Sequence, residues 1–170
     1  MLCGYYQLGT KDTTEGKEAL MIGFILTGHG QFSNGIKSAL DMVAGDQPAF
    51  KIVPFEGSAA ATYAEDLRDA ITSMRAECEE GVIVFVDLLG GTPFNQSMMI
   101  SGDVDKVEIV TGTNLPMLIE LFFMRNGATD VTALAEQAVS VGREAVTRQS
   151  VAAIMGDADD ADDFSDEDGI

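Results

Sequence analysis

The chain has 170 residues, 46% of them hydrophobic, enough to bury one substantial core, so a single domain is expected. Its formal charge of −18 argues against nucleic acid and anionic membrane as partners. No apolar run reaches the roughly 18 residues of a membrane span, and no signal-peptide pattern is present, so no direct membrane insertion is expected. Cys3 and Cys78 fit no metal or redox spacing, and there is one histidine, so neither metal nor cofactor is expected and a reduced, cytoplasmic setting suits the chain.

Residues 1–20 are polar, lack a sustained apolar period and read as a frayed, disordered extension. A second reading is genetic. Lys17-Glu18 can be encoded by a ribosome-binding sequence just upstream of Met21, which would make Met21 the natural start and residues 1–20 a start-site artefact. From Met21 the pattern is regular, and a folded domain is expected over 21–155. A first strand, about 21–27, precedes a helix with Ile36, Leu40 and Val43 in line, Ser33 as its expected cap and Gly45 as its stop. Strand two, 50–55, is short and partly alternating, which places it near a sheet edge. Thr62 with Glu65 forms a capping-box signature ahead of Tyr63, Leu67, Ile71 and Met74 at helical spacing. Strand three is 82–86. Thr92 is expected to cap the next helix, with Pro93 in its first position. Strand four is 106–111. Asn114-Leu115-Pro116 opens a helix whose Met117, Leu118, Leu121, Phe122 and Phe123 cover more than one face, so a homodimer is expected. Asp130 caps the last helix, which carries Val131, Leu134, Ala138, Val141 and Ala145 on one side. The segment Gln149 to Met155 is available for one more strand, and residues 156–170 read as a disordered acidic tail.

Strand alternating with helix implies an α/β fold: a doubly wound, mainly parallel sheet with helices on both faces. In the flavodoxin-type order 2-1-3-4, strands one and three lie side by side and a crevice opens at their carboxyl ends. The first of these strands runs into Leu26-Thr27-Gly28-His29-Gly30 and the other into Asp87-Leu88-Leu89-Gly90-Gly91-Thr92. His29 is thus the candidate nucleophile and Asp87 the carboxylate that would fix its tautomer. Gly28, Gly30, Gly90, Gly91 and Thr92, with the start of the following helix, would cradle an anion. No GxxxxGK[ST] loop is present, which disfavours ATP as donor. A histidine that takes a phosphoryl group from another protein fits better.

Four stretches carry a resemblance: Ile25-Leu26-Thr27-Gly28-His29-Gly30, Val86-Asp87-Leu88-Leu89-Gly90-Gly91-Thr92-Pro93-Phe94-Asn95, Gly112-Thr113-Asn114-Leu115-Pro116-Met117-Leu118 and Val141-Gly142-Arg143-Glu144-Ala145-Val146. Together, over about 21–147, they resemble the enzyme IIA component of the mannose (mannose/fructose/sorbose) family of the bacterial phosphoenolpyruvate-dependent sugar phosphotransferase system. The resemblance implies that His29 accepts a phosphoryl group from the histidine phosphocarrier protein and passes it to a IIB component during sugar uptake. It also implies that Asp87 orients the histidine, that Thr92 lies beside it, and that the chain forms a homodimer with an exchanged C-terminal strand. Two rival readings differ in acceptor or in chemistry: the phosphocarrier subunit of a phosphoenolpyruvate-dependent dihydroxyacetone kinase, and a non-catalytic regulatory module.

Overall fold

The computed structural model describes residues 21–57, 60–151 and 154. The expectations for residues 1–20 and for the acidic tail, 156–170, lie outside these residues. Four strands, β1 (Gly23–His29), β2 (Phe50–Phe55), β3 (Val82–Val86) and β4 (Val107–Thr111), form one parallel sheet in the order β2-β1-β3-β4. Five helices accompany them: α1 (Phe32–Ala44), α2 (Tyr63–Glu77), α3 (Thr92–Ser101), α4 (Leu115–Met124) and α5 (Val131–Glu144). The central strands β1 and β3 are buried along almost their whole length, as their unbroken apolar runs require when helices cover both faces.

Strand alternation divides the interior in two. Phe24 and Leu26 of β1 with Ile83 and Phe85 of β3 pack against α1, α4 and α5. Ile25, Val82, Val84 and Val86 point the other way, onto Tyr63, Leu67, Ile71 and Met74 of α2 and Ile100 of α3. β2 takes the edge position and carries Pro54, a residue that an edge strand tolerates.

Several helix ends differ from the sequence expectation. Gln31, not Ser33, precedes α1, and Ser33 sits inside the helix with a buried hydroxyl that has no hydrogen-bond partner among the described residues. Gly91 precedes α3, so Thr92 is its first residue and Pro93 its second. Thr62 does stand at the start of α2, but its hydroxyl donates to Asp66. Asp130 caps α5 as expected, accepting from the Ala133 N–H, and α4 opens where expected, with Asn114 as a cap that accepts from the Met117 N–H. The stretch set aside for a fifth strand is also corrected: Val151 and Ile154 are helical, and the Ile154 N–H donates to the Ser150 carbonyl.

At the amino end of the sheet Arg125, which follows α4, is 1% exposed. Its guanidinium donates to the carbonyls of Ile22 (3.3 Å), Ala49 (3.2 Å) and Pro48 (2.5 Å). It also lies over the rings of Phe24 (4.8 Å) and Phe122 (4.4 Å). Burial pulls its pKa from 12.5 down to about 10, so it remains charged at neutral pH. Ala49 is left-handed with φ 48, and its carbonyl accepts from both Arg125 and the Phe24 N–H, which hold it there.

Candidate active site

β1 and β3 pair from Gly23↔Val82 to Thr27↔Val86, which brings His29 and Asp87 together just past the paired stretch. The contact is double. One carboxylate oxygen, Asp87 Oδ2, accepts from the His29 backbone N–H and from its ring Nδ1, each at 2.8 Å. The other, Oδ1, accepts from the Leu88 N–H at 2.8 Å. A carboxylate on Nδ1 selects the tautomer with the proton there, which leaves the lone pair on Nε2 free. The Asp87 side chain is 11% exposed and that of His29 41%, so the orienting group is withdrawn while the ring faces solvent.

Burial pushes the Asp87 pKa up, but the His29 backbone N–H, the His29 ring and the Leu88 N–H pull it down and win, leaving it below its ordinary 3.8. Asp87 is therefore an anion at neutral pH, able to offset positive charge that develops on the ring.

The glycines have separate jobs. A Cβ on Gly28 would meet the Phe32 ring at 2.6 Å and the Asp87 Cβ at 3.0 Å, so its absence is what lets the carboxylate approach. A Cβ on Gly91 would lie 2.6 Å from His29 Cε1 and 3.2 Å from Nε2, so the imidazole rests directly on this backbone. Gly30 and Gly90 have φ of 55 and 86, left-handed values that turn the chain away from β1 and toward α3. The start of α3 follows, with Thr92 exposed at its first position. Early N–H groups of a helix lack intrahelical partners and, with the helix dipole, favour an anion nearby.

All seven residues singled out from sequence thus fall in one region. Three others were not singled out: Phe55, whose ring stands edge-to-face with His29 at 5.4 Å, and Gln31 and Glu56, joined by a 2.5 Å hydrogen bond beside it. Phe55 was within reach of sequence reasoning, since order 2-1-3 with matched strand ends sets the last residue of β2 opposite His29. Among the described residues no three His, Cys, Asp or Glu side chains gather to hold a metal ion, and no helix is long and apolar enough to cross a membrane.

A family model described as "PTS system fructose IIA component" matches residues 23–139. The chain is 32% identical over 106 residues to the fructose-specific EIIA component of Bacillus subtilis, covering 62% of this chain and 71% of the relative. It is 29% identical over 128 residues to the mannose-specific EIIAB component of Escherichia coli, covering 75% of this chain but 39% of that longer protein. Among solved structures, the EIIA phosphotransferase system component of Streptococcus agalactiae superposes with a TM-score of 0.67 at 30% identity, over 75% of this chain and 97% of the other. The family match spans most of the chain, and the fold superposes on that of a solved relative: the chain belongs to the mannose/fructose EIIA family of the sugar phosphotransferase system, a family of phosphotransfer proteins.

Proposed function

We propose that His29 is a phosphoryl carrier working in the cytoplasm, loaded by the histidine phosphocarrier protein and unloaded by a histidine of a IIB component. One observation carries the reading: the Asp87 carboxylate, 2.8 Å from Nδ1, presents Nε2 as the nucleophile. In the step, the Nε2 lone pair forms a bond to phosphorus as the donor's N–P bond breaks and its electron pair returns to the donor imidazole. The His29 ring gains positive charge, which Asp87 offsets. The transferred oxygens are held by the amides around Gly90, Gly91 and Thr92. In a loose phosphoryl transfer, positioning and charge supply most of the catalysis, and the geometry supports both.

The acceptor assignment follows the relatives, whose names place them in fructose- and mannose-specific systems. The homodimer is part of the same proposal. Among the described residues no strand pairs with the outer edge of β4, which borders a cleft of about 450 Å³ lined by Ile109, Met117, Val139 and Val146 among others. Phe123, 70% exposed on α4, adds apolar surface suited to a second copy.

The test is incubation with labelled phosphoenolpyruvate, enzyme I and the phosphocarrier. Label on the wild type and none on His29→Ala is expected, with transfer onward to a IIB protein. Transfer to a kinase subunit instead would support the kinase reading, and an unlabelled wild type would leave a regulatory module.

A further inference from the structure

We infer that Phe55, braced by Tyr63 and Thr27, is a positioning residue that fixes the imidazole ring of His29 for transfer. The inference rests on the reading of His29 as the phosphoryl acceptor. A hydrogen bond from Nδ1 to Asp87 holds one point of the ring and leaves it free to rock about that bond. Gly91 limits the motion where its backbone meets Cε1 and Nε2. Phe55 limits it elsewhere.

β1 and β2 are in register with His29 opposite Phe55, and the two rings stand 5.4 Å apart at 88°, an edge-to-face contact. Phe55 in turn meets Tyr63 at 4.9 Å and 65°. Tyr63 opens α2 and is 2% exposed, so its position is set by packing and by its one polar group. That hydroxyl lies 2.6 Å from Thr27 Oγ1, and Thr27 Oγ1 lies 2.6 Å from the Val53 carbonyl. A carbonyl can only accept, so Thr27 donates to Val53 and Tyr63 donates to Thr27. Burial pushes the Tyr63 hydroxyl up to about 12, so it keeps the proton this bond needs.

The contacts close a circuit. Thr27 and His29 lie two residues apart on β1 and so on one face of the sheet, the face that α2 covers. Val53 and Phe55 repeat that spacing on β2. Thr27 ties β1 to β2 through the Val53 carbonyl, Tyr63 bonds to Thr27, and Phe55, packed on Tyr63, carries this fixed point to the histidine ring. Neither aromatic ring needs to touch the phosphoryl group.

The chain has a single histidine, so the ring nitrogens of His29 give an unambiguous ¹⁵N NMR signature in the unphosphorylated protein. At alkaline pH the wild type is expected to show one tautomer, protonated at Nδ1. Phe55→Ala is expected to broaden or average the two nitrogen signals and to lower kcat for transfer from the phosphorylated carrier by about tenfold, with KM for the carrier unchanged. Tyr63→Phe, which removes only the hydroxyl, is expected to cost about threefold, and Phe55→Leu, which keeps most of the volume, to fall between wild type and Phe55→Ala. These two milder variants carry the same test where Phe55→Ala folds poorly. A wild-type ring spectrum and transfer within about twofold of wild type in Phe55→Ala, or in both milder variants, overturns the positioning role. Failure of the carrier reading looks different: the wild-type chain itself takes no label.

Discussion

The two ends of the sheet each hold an ion, and they treat it in opposite ways. At the carboxyl end, Asp87 is held by N–H groups of His29 and Leu88 and passes its influence to a ring that is 41% exposed. At the amino end, Arg125 is held by three carbonyls between two aromatic rings and is 1% exposed. Both charges are shifted from their ordinary pKa, so a perturbed charge alone does not mark a functional site. What separates them is whether the charge is coupled to a group that a partner can reach. Asp87 is; Arg125 is sealed among main-chain acceptors and stabilises the fold.

Arg125→Ala is the strongest probe of that division. It strands buried carbonyls and leaves a cavity beside Phe24 and Phe122, and is expected to cost about 3 kcal/mol, or roughly 6–12 °C in Tm. Phosphoryl transfer per folded molecule should not change. A Tm within about 2 °C of wild type, or a transfer defect in the folded fraction, would break the comparison.

Asp87→Asn should do the reverse, slowing transfer by about a hundredfold, or ~2.7 kcal/mol, while the far-ultraviolet spectrum stays native. An amide can still bond to Nδ1 but cannot offset charge on the ring. Rapid-quench transfer within about twofold of wild type would make the carboxylate merely structural. The pH dependence sharpens this. The folded-state pKa of Asp87 lies below its ordinary 3.8, so its contribution to stability is complete above that value and is lost as pH falls through the folded-state pKa. Melting curves from neutral pH to about pH 2.5 should therefore converge for wild type and Asp87→Asn, the wild type losing more.

Gly91→Ala is the finest probe, with an expected loss of about tenfold in transfer. Its φ of −79 suits any residue, so the effect would come from the added Cβ pressing on Cε1 rather than from backbone strain.

The layout of strands and helices was legible because it rests on long apolar runs and on alternation, which tertiary context rarely overrides. β3 could be read to the residue from Val82 to Val86, and the observed strand order is the flavodoxin-type order expected for this βαβ rhythm. His29 and Asp87 stood out because each ends a buried run beside glycines. Cap positions were less legible. Ser33 and Thr92 are good cap types, yet α1 begins at Phe32, ahead of Ser33, and at α3 the cap place belongs to Gly91, next to the His29 ring. Arg125 escaped notice because a lone arginine after a helix reads as a solvated C-terminal charge; only the loop carbonyls at Pro48 and Ala49, far away in sequence, show why it is buried. Tyr63 was read as a core residue of α2, which it is. Its hydroxyl bond to Thr27 depends on side-chain placement that periodicity does not encode.

The pairing of β1 with β3 also sets the order in which the site comes into being. His29 and Asp87 are 58 residues apart in the chain, with two strands and two helices between them. At roughly 5–20 residues per second, a ribosome adds Asp87 about 3–12 s after His29. For that interval the nascent chain carries the histidine but not the carboxylate that holds its ring. The helices close through local contacts, while the β1–β3 ladder must close a long loop, so the His29–Asp87 contact is expected to form after most helical signal has returned in refolding. If His29 is the carrier proposed above, acceptance of phosphate would be a late and selective reporter that the central strands have joined.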